Sequence, residues 1–274
     1  MAEITAAAVK SLREKTSLPM MECKAALKET DGNEEAAIQL LRERGKVKMI
    51  GRGERETTQG RIGIYTDDNV AAIIELQCES ASVAGHDEFM QLSDDLAKQL
   101  ATGPGAADAD ALLAQPSPSQ EGKTLAEQRD DLTNRTREVF NLNKISRVEG
   151  RCASYLHHTG NDGVLLQIEG DNVDAGRDIC MHITAMNPTA LNIEDLDAAE
   201  VEKERNILTE AARSEGKPEN IIEKMVDGRM RNYYAETVLQ EQPFVKDDKQ
   251  TVGQYAKASG LNPVQFIHWK VSSR

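Results

Sequence analysis

The chain has 274 residues, of which 39% are hydrophobic, 29% charged and only 4% aromatic, and its formal net charge is −13 at pH 7. That length supports more than one core, and no apolar run approaches the roughly 18 residues that would mark a membrane span. The acidic balance opposes phosphate neutralisation, so no direct nucleic-acid binding is expected.

Residues 1–45 predict a helical unit of three short helices. Ile4, Val9 and Leu12 share one side of the first. The turn TSLP follows, with Pro19 suited to the opening of a second helix, MMECKAALKET. Asp31-Gly32 ends it, and Asn33 is placed to cap a third, EEAAIQLLRERG. Residues 46–57 then read as an exposed basic linker without the interleaved aromatics of a stacking platform.

The middle of the chain contains a repeat. QGRIGIYTDDNVAAIIELQCE and EGRCASYLHHTGNDGVLLQIEG share Gly-Arg-x-x-x-Tyr, a turn rich in Asp, Asn or Gly, and an apolar run that opens on Val. Gly60, Arg61 and Tyr65 correspond to Gly150, Arg151 and Tyr155. Each copy is a β-hairpin signal followed by a helix, the first with Phe89, Leu92, Leu96 and Leu100 on one face, the second with Ile179, Ile183 and Met186. A duplicated α+β unit is the economical reading. Between the copies, the Ala-, Pro- and Gly-rich stretch from residue 101 reads as a surface excursion with one short helix, DADALLAQ. A helix over 125–141 leads into the second copy. Two charged helices around SEGKP, within 198–240, predict an antiparallel helical hairpin. The chain then predicts a short helix over 251–259 and a final strand carrying Phe266, Ile267 and Trp269. The expected domains are therefore 1–45, the linker 46–57, a first core repeat over 58–140, a second over 141–197 with 241–274, and the hairpin 198–240.

No phosphate-cradling, dinucleotide-binding, nucleophile-elbow or zinc-protease motif is present. An enzyme is not expected, nor a cofactor or metal. Cys23, Cys78, Cys152 and Cys180 lack metal-ligand spacing and read as reduced, buried thiols. His157-His158 falls at a hairpin tip, where alternation predicts that the rings face opposite ways. His182 reads as a satisfied structural histidine. The N-terminus has charges throughout and no apolar core of an export signal, so a cytoplasmic location is expected. Met20 and Met21 open the second helix of a unit too small to bury both. With Lys24 they suggest a protein-binding surface.

These residues carry a resemblance. MAEITAAAVKSLREKTSLPMMECKAALKETDGNEEAAIQLLRERG resembles the N-terminal, ubiquitin-associated-like module of the elongation factor Ts family, and the likeness continues through SRVEGRCASYLHH, DICMHITAMNP, GKPENIIEKMVDGRM and QPFVKDDKQTVGQ. It implies a guanine-nucleotide exchange factor that binds elongation factor Tu and promotes GDP release. The family's device is a Thr-Asp-Phe-Val-Ala loop after the first repeat's strand, whose phenyl ring wedges into the GTPase. Here Ser80, Ala81, Ser82 and Val83 occupy that loop, with Ala81 in place of Asp and Ser82 in place of Phe. Thr136-Arg137-Glu138 stands where the family usually has Ile-Gly-Glu. The resemblance implies partner contacts at Arg13, Met20, Met21, Lys24 and His157 as well. The second reading is a binding partner or chaperone of elongation factor Tu with weak or no exchange activity.

Overall fold

The computed structural model describes residues 4–16, 18–43, 56–216 and 218–271. The chain divides into two compact units, Met1–Glu56 and Thr57–Arg274. Most of the expected basic linker lies outside the described residues.

The first unit has helices α1 (Ala6–Thr16), α2 (Met20–Glu29) and α3 (Glu34–Glu43). Val9, Leu12, Cys23, Ala26, Leu27, Ala37 and Leu41 form its core, with Ile4 against it. Asn33 caps α3 through its side chain, accepting from the Ala36 N–H at 3.1 Å. Pro19 is the residue before α2, one position earlier than expected. Glu34 ties α3 to α1, accepting from Ser11 Oγ at 3.0 Å and pairing with Lys15 at 2.9 Å.

The second unit is α+β. It runs β1 (Gln59–Thr66), β2 (Val70–Cys78), α4 (Ala81–Ala84), α5 (Asp87–Thr102), α6 (Ala109–Leu113), α7 (Leu125–Thr136), β3 (Asn141–Glu149), β4 (Cys152–Leu156), β5 (Asp162–Glu169), α8 (Val173–Met186), α9 (Ala198–Ser214), α10 (Glu219–Thr237), β6 (Pro243–Phe244), β7 (Asp247–Thr251), α11 (Val252–Ala258) and β8 (Asn262–Lys270). Both expected hairpins form: β1 pairs antiparallel with β2, and β4 with β5. The two three-stranded sheets are β1-β2-β3 and β4-β5-β8, and β6 pairs with β7 in a third of two strands.

Ile62, Ala71, Ile73, Val148, Cys152 and Leu165 form the core between the two sheets. The helix-facing sides build separate cores. One joins Ile74 and Leu76 to Phe89, Leu92, Leu96 and Leu100 of α5, and the other joins Val164 and Leu166 to Ile179 and Ile183 of α8. β2 and β5 thus bury both faces, which is why their sequences are nearly continuous apolar runs. Helices α9 and α10 pack against each other through Ala212, Ile222, Val226 and Met230. No described helix is long and apolar enough to cross a membrane.

Three expectations need correction. The helix predicted over 125–141 ends at Thr136, and Asn141–Glu149 is a strand paired with β2, so the first sheet runs past residue 140. Its alternation was hard to see because Leu142 and Val148 are its only buried positions. Met186 is 44% exposed: it is the last residue of α8, directly before the Asn187 cap. The excursion between the repeats is only partly a surface feature, because Leu112 and Leu113 of α6 are buried in the first repeat's core.

Candidate functional site

The segment CESASVAG leaves β2 at its last residue and forms a single-turn helix before α5 begins. Ser80 caps that turn: its backbone is extended (φ −124°, ψ 149°) and its Oγ accepts from the Val83 N–H at 3.3 Å. Ala81 and Ser82 are exposed, while Val83 and Ala84 are half-buried against the first repeat's core. The apolar half of the turn anchors it, and the outward half, Ala81 and Ser82, faces solvent.

A second segment holds the loop in place. Glu138 Oε2 accepts from the backbone N–H groups of Glu79 (3.2 Å) and Ser80 (3.1 Å), and its Oε1 accepts from the Ser80 hydroxyl at 2.6 Å. In return the Val139 N–H donates to Glu79 Oε1 at 2.9 Å. Arg137 makes this reach possible. It ends α7 in the left-handed conformation (φ 64°, ψ 22°), donates its N–H to Thr133 O at 2.8 Å, and turns the chain toward the loop. Glu138 therefore belongs to the site, although its bonding to Ser80 crosses 58 residues and has no local signature. The one available signal was that Glu is kept in a triplet whose first two residues depart from the family.

Beneath the loop, Cys78 is buried, and burial together with the Glu138 charge pushes its thiol up to about 12. It is protonated and inert at neutral pH. Phe89 has no exposed surface and meets Phe140 edge-on, with ring centroids 5.1 Å apart. It is a core residue and cannot serve as a wedge.

The tip of the β4–β5 hairpin presents His157. Its Nδ1 lies 2.7 Å from Thr159 Oγ1, which donates to Asn161 Oδ1. The turn closes against β1, whose Ile62 N–H donates to Gly160 O at 2.8 Å. His157 and His158 do not face apart: their rings lie 4.1 Å from each other. Strand alternation no longer applies there because β4 ends at Leu156. Among the described residues no three acidic, His or Cys groups converge as metal ligands. His157, Tyr155 and Asp162 line an open groove of about 540 Å³ against Met181, Thr184 and Ala185 of α8. His182, by contrast, is buried on α8. It donates to Gln242 Oε1 at 2.8 Å, and its Nδ1 accepts from the Val245 N–H at 3.2 Å.

In the first unit, Arg13, Met20, Met21 and Lys24 are all exposed, Met20 by 50% and Met21 by 75%. Lys24 follows the two methionines at helical spacing, on the side of α2 away from buried Cys23, Ala26 and Leu27.

The family model described as "Elongation factor TS" matches residues 79–273. A protein named elongation factor Ts from Kineococcus radiotolerans is 38% identical over the full length of both chains. One of the same name from Micrococcus luteus is 40% identical, again over all of both. Another, from Methylococcus capsulatus, is 39% identical over 98% of this chain and 92% of its own.

Proposed function

The chain belongs to the elongation factor Ts family and is a translation elongation factor, and on that premise we propose that it binds the GTPase elongation factor Tu in the cytoplasm and promotes release of GDP. The carrying observation is the turn at Ala81–Ala84. It is capped by Ser80, pinned by Glu138, and presents outward residues that the fold itself does not use. A segment held that firmly and left that exposed is suited to meeting a partner. Met20, Met21 and Lys24 on one unit, and the His157 groove on the other, are the remaining contact surfaces.

Exchange of this kind is negative coupling. Factor and nucleotide each weaken the other's hold on the GTPase by the same factor, so residues that touch the partner only in its nucleotide-free form set the acceleration. The usual Asp-Phe wedge is replaced by Ala81-Ser82. Burying a phenyl ring contributes about 1.5–3 kcal/mol, so its absence lowers the achievable acceleration by about ten- to a hundredfold. Affinity then comes mainly from the other surfaces.

A second reading, a binding partner or chaperone with weak or no exchange, is favoured by the same small exposed tip together with the complete burial of Phe89. Release of labelled GDP from the cognate GTPase separates the two, measured with the natural protein and with Ser82→Phe. Acceleration by the natural protein supports exchange. Binding without acceleration, gained only on the substitution, would favour the second reading.

A further inference from the structure

We propose that Glu138 is a positioning residue for nucleotide exchange, fixing the direction in which residues 80–84 leave the first sheet. The proposal rests on the reading that this loop is what the GTPase meets. Both oxygens of the carboxylate are committed to the loop, one to two successive backbone N–H groups and the other to the Ser80 hydroxyl. Because Ser80 Oγ donates its hydrogen to Glu138, its lone pairs are left to accept the Val83 N–H. The capping geometry of the turn is therefore set by a carboxylate from another element, through bonds strengthened by its charge.

A purely structural role does not account for this arrangement. The β2 ladder and the core around Phe89, Leu92 and Leu96 already hold β2 and α5 together. The clamp adds order to residues 79–82, which lie outside that core, whereas Val83 and Ala84 pack against it. Among the described residues no such carboxylate serves the corresponding junction of the second repeat: the Asn172 side chain caps α8, accepting from the Ala175 N–H at 3.1 Å. Small misplacements of a contact group cost much in rate, so a pinned loop has a function that a loose one lacks.

The test compares the natural chain with Glu138→Ala and Glu138→Gln. The glutamine can still accept the two N–H groups and donate to Ser80 Oγ, so it preserves the shape of the clamp without its charge. Two quantities are measured well below every unfolding midpoint: hydrogen exchange of the Glu79, Ser80 and Val83 amides, and GDP release from elongation factor Tu at saturating factor. Glu138→Ala is expected to speed amide exchange and to lower the saturating rate about tenfold, with a smaller change in half-saturating concentration. Glu138→Gln is expected to recover most of both.

Wild-type saturating rates in Glu138→Ala, despite deprotected amides, would overturn the proposal. So would unchanged amide protection in that variant, or failure of Glu138→Gln to recover the rate. A natural chain that releases no GDP ends the exchange reading and this role together. A natural chain that accelerates release as fast as Glu138→Ala ends this role alone.

Discussion

The first repeat passes from β2 to α5 through residues 79–86, whereas the second passes from β5 to α8 through residues 170–172. Both junctions solve the same problem, turning an apolar strand into a helix that packs back on its sheet, and the second solves it with a single asparagine cap. The additional length in the first is thus more than the turn itself requires. It projects Ala81 and Ser82 into solvent and recruits Glu138 to hold them there. Duplication supplies an internal control: what one copy has and the other lacks points to what the turn alone does not require.

The helices differ in a related way. The first turn of α5 drives Phe89 inward against Phe140, while the first turn of α8 presents Gly176 to Ala153 of β4. Both helices come close to their sheets at a glycine, but α5 does so at Gly63 of β1 beneath Ser93, and α8 does so in its own first turn. The largest expected effect breaks this contrast in the first repeat. Phe89→Ala should cost about 3–5 kcal/mol in denaturant unfolding of the second unit. Loss of that size at a side chain with no exposed surface would also exclude Phe89 as a displaced wedge. A cost below about 1 kcal/mol would contradict its place in the core. Next, Gly176→Ala would bring a methyl group within 2.6 Å of Ala153 Cβ, and overpacking of this kind costs about 1–3 kcal/mol.

How much of this was legible in the sequence follows from which contacts are local. The hairpins were readable because each strand's pattern and its turn residues lie within one window. β3 was not: seven of its nine residues keep some exposure, so its polar run extended the preceding helical pattern instead of announcing a strand. The candidate loop could be placed only through the family resemblance, since Ser80-Ala81-Ser82 carries no chemistry of its own. Its clamp was invisible for a different reason, that donor and acceptor are brought together by the tertiary fold. His157 and His158 show the opposite error, where a strand rule was carried two residues beyond the strand.

The repeats also differ in the polar groups each buries on its helix, Ser93 and Asp95 on α5 and His182 on α8. Burial holds His182 below its ordinary value near 6.5, against the opposing effect of its bond to Gln242. The fold therefore favours the neutral ring. Its contribution to stability is complete above the unfolded value and is lost as pH falls through the folded one. Stability should decline below pH 6.5 by at most about 1.4 kcal/mol per unit from this group. Denaturant midpoints between pH 7.5 and 5.5 would show the slope, and His182→Gln should flatten it.

The smallest effect concerns how two helices end. Arg137 closes α7 and Asn187 closes α8 in the same left-handed conformation, with φ of 64° and 50°, each donating its N–H four residues back at 2.8 Å. Asparagine visits that region readily, whereas an arginine pays the steric cost of its Cβ, roughly 1 kcal/mol. Asn187→Gly should consequently be close to neutral. Arg137→Gly should stabilise, raising the melting temperature by about 2–4 °C for a unit of this size. The two substitutions also separate the turn from the side chain in the candidate site. If Arg137 serves only to swing Glu138 toward Ser80, glycine performs that turn equally well, and GDP release should stay at the natural rate while the fold gains stability. A gain in melting temperature accompanied by slower release would instead mean that the guanidinium itself meets the partner, and that the strain at residue 137 is retained for binding.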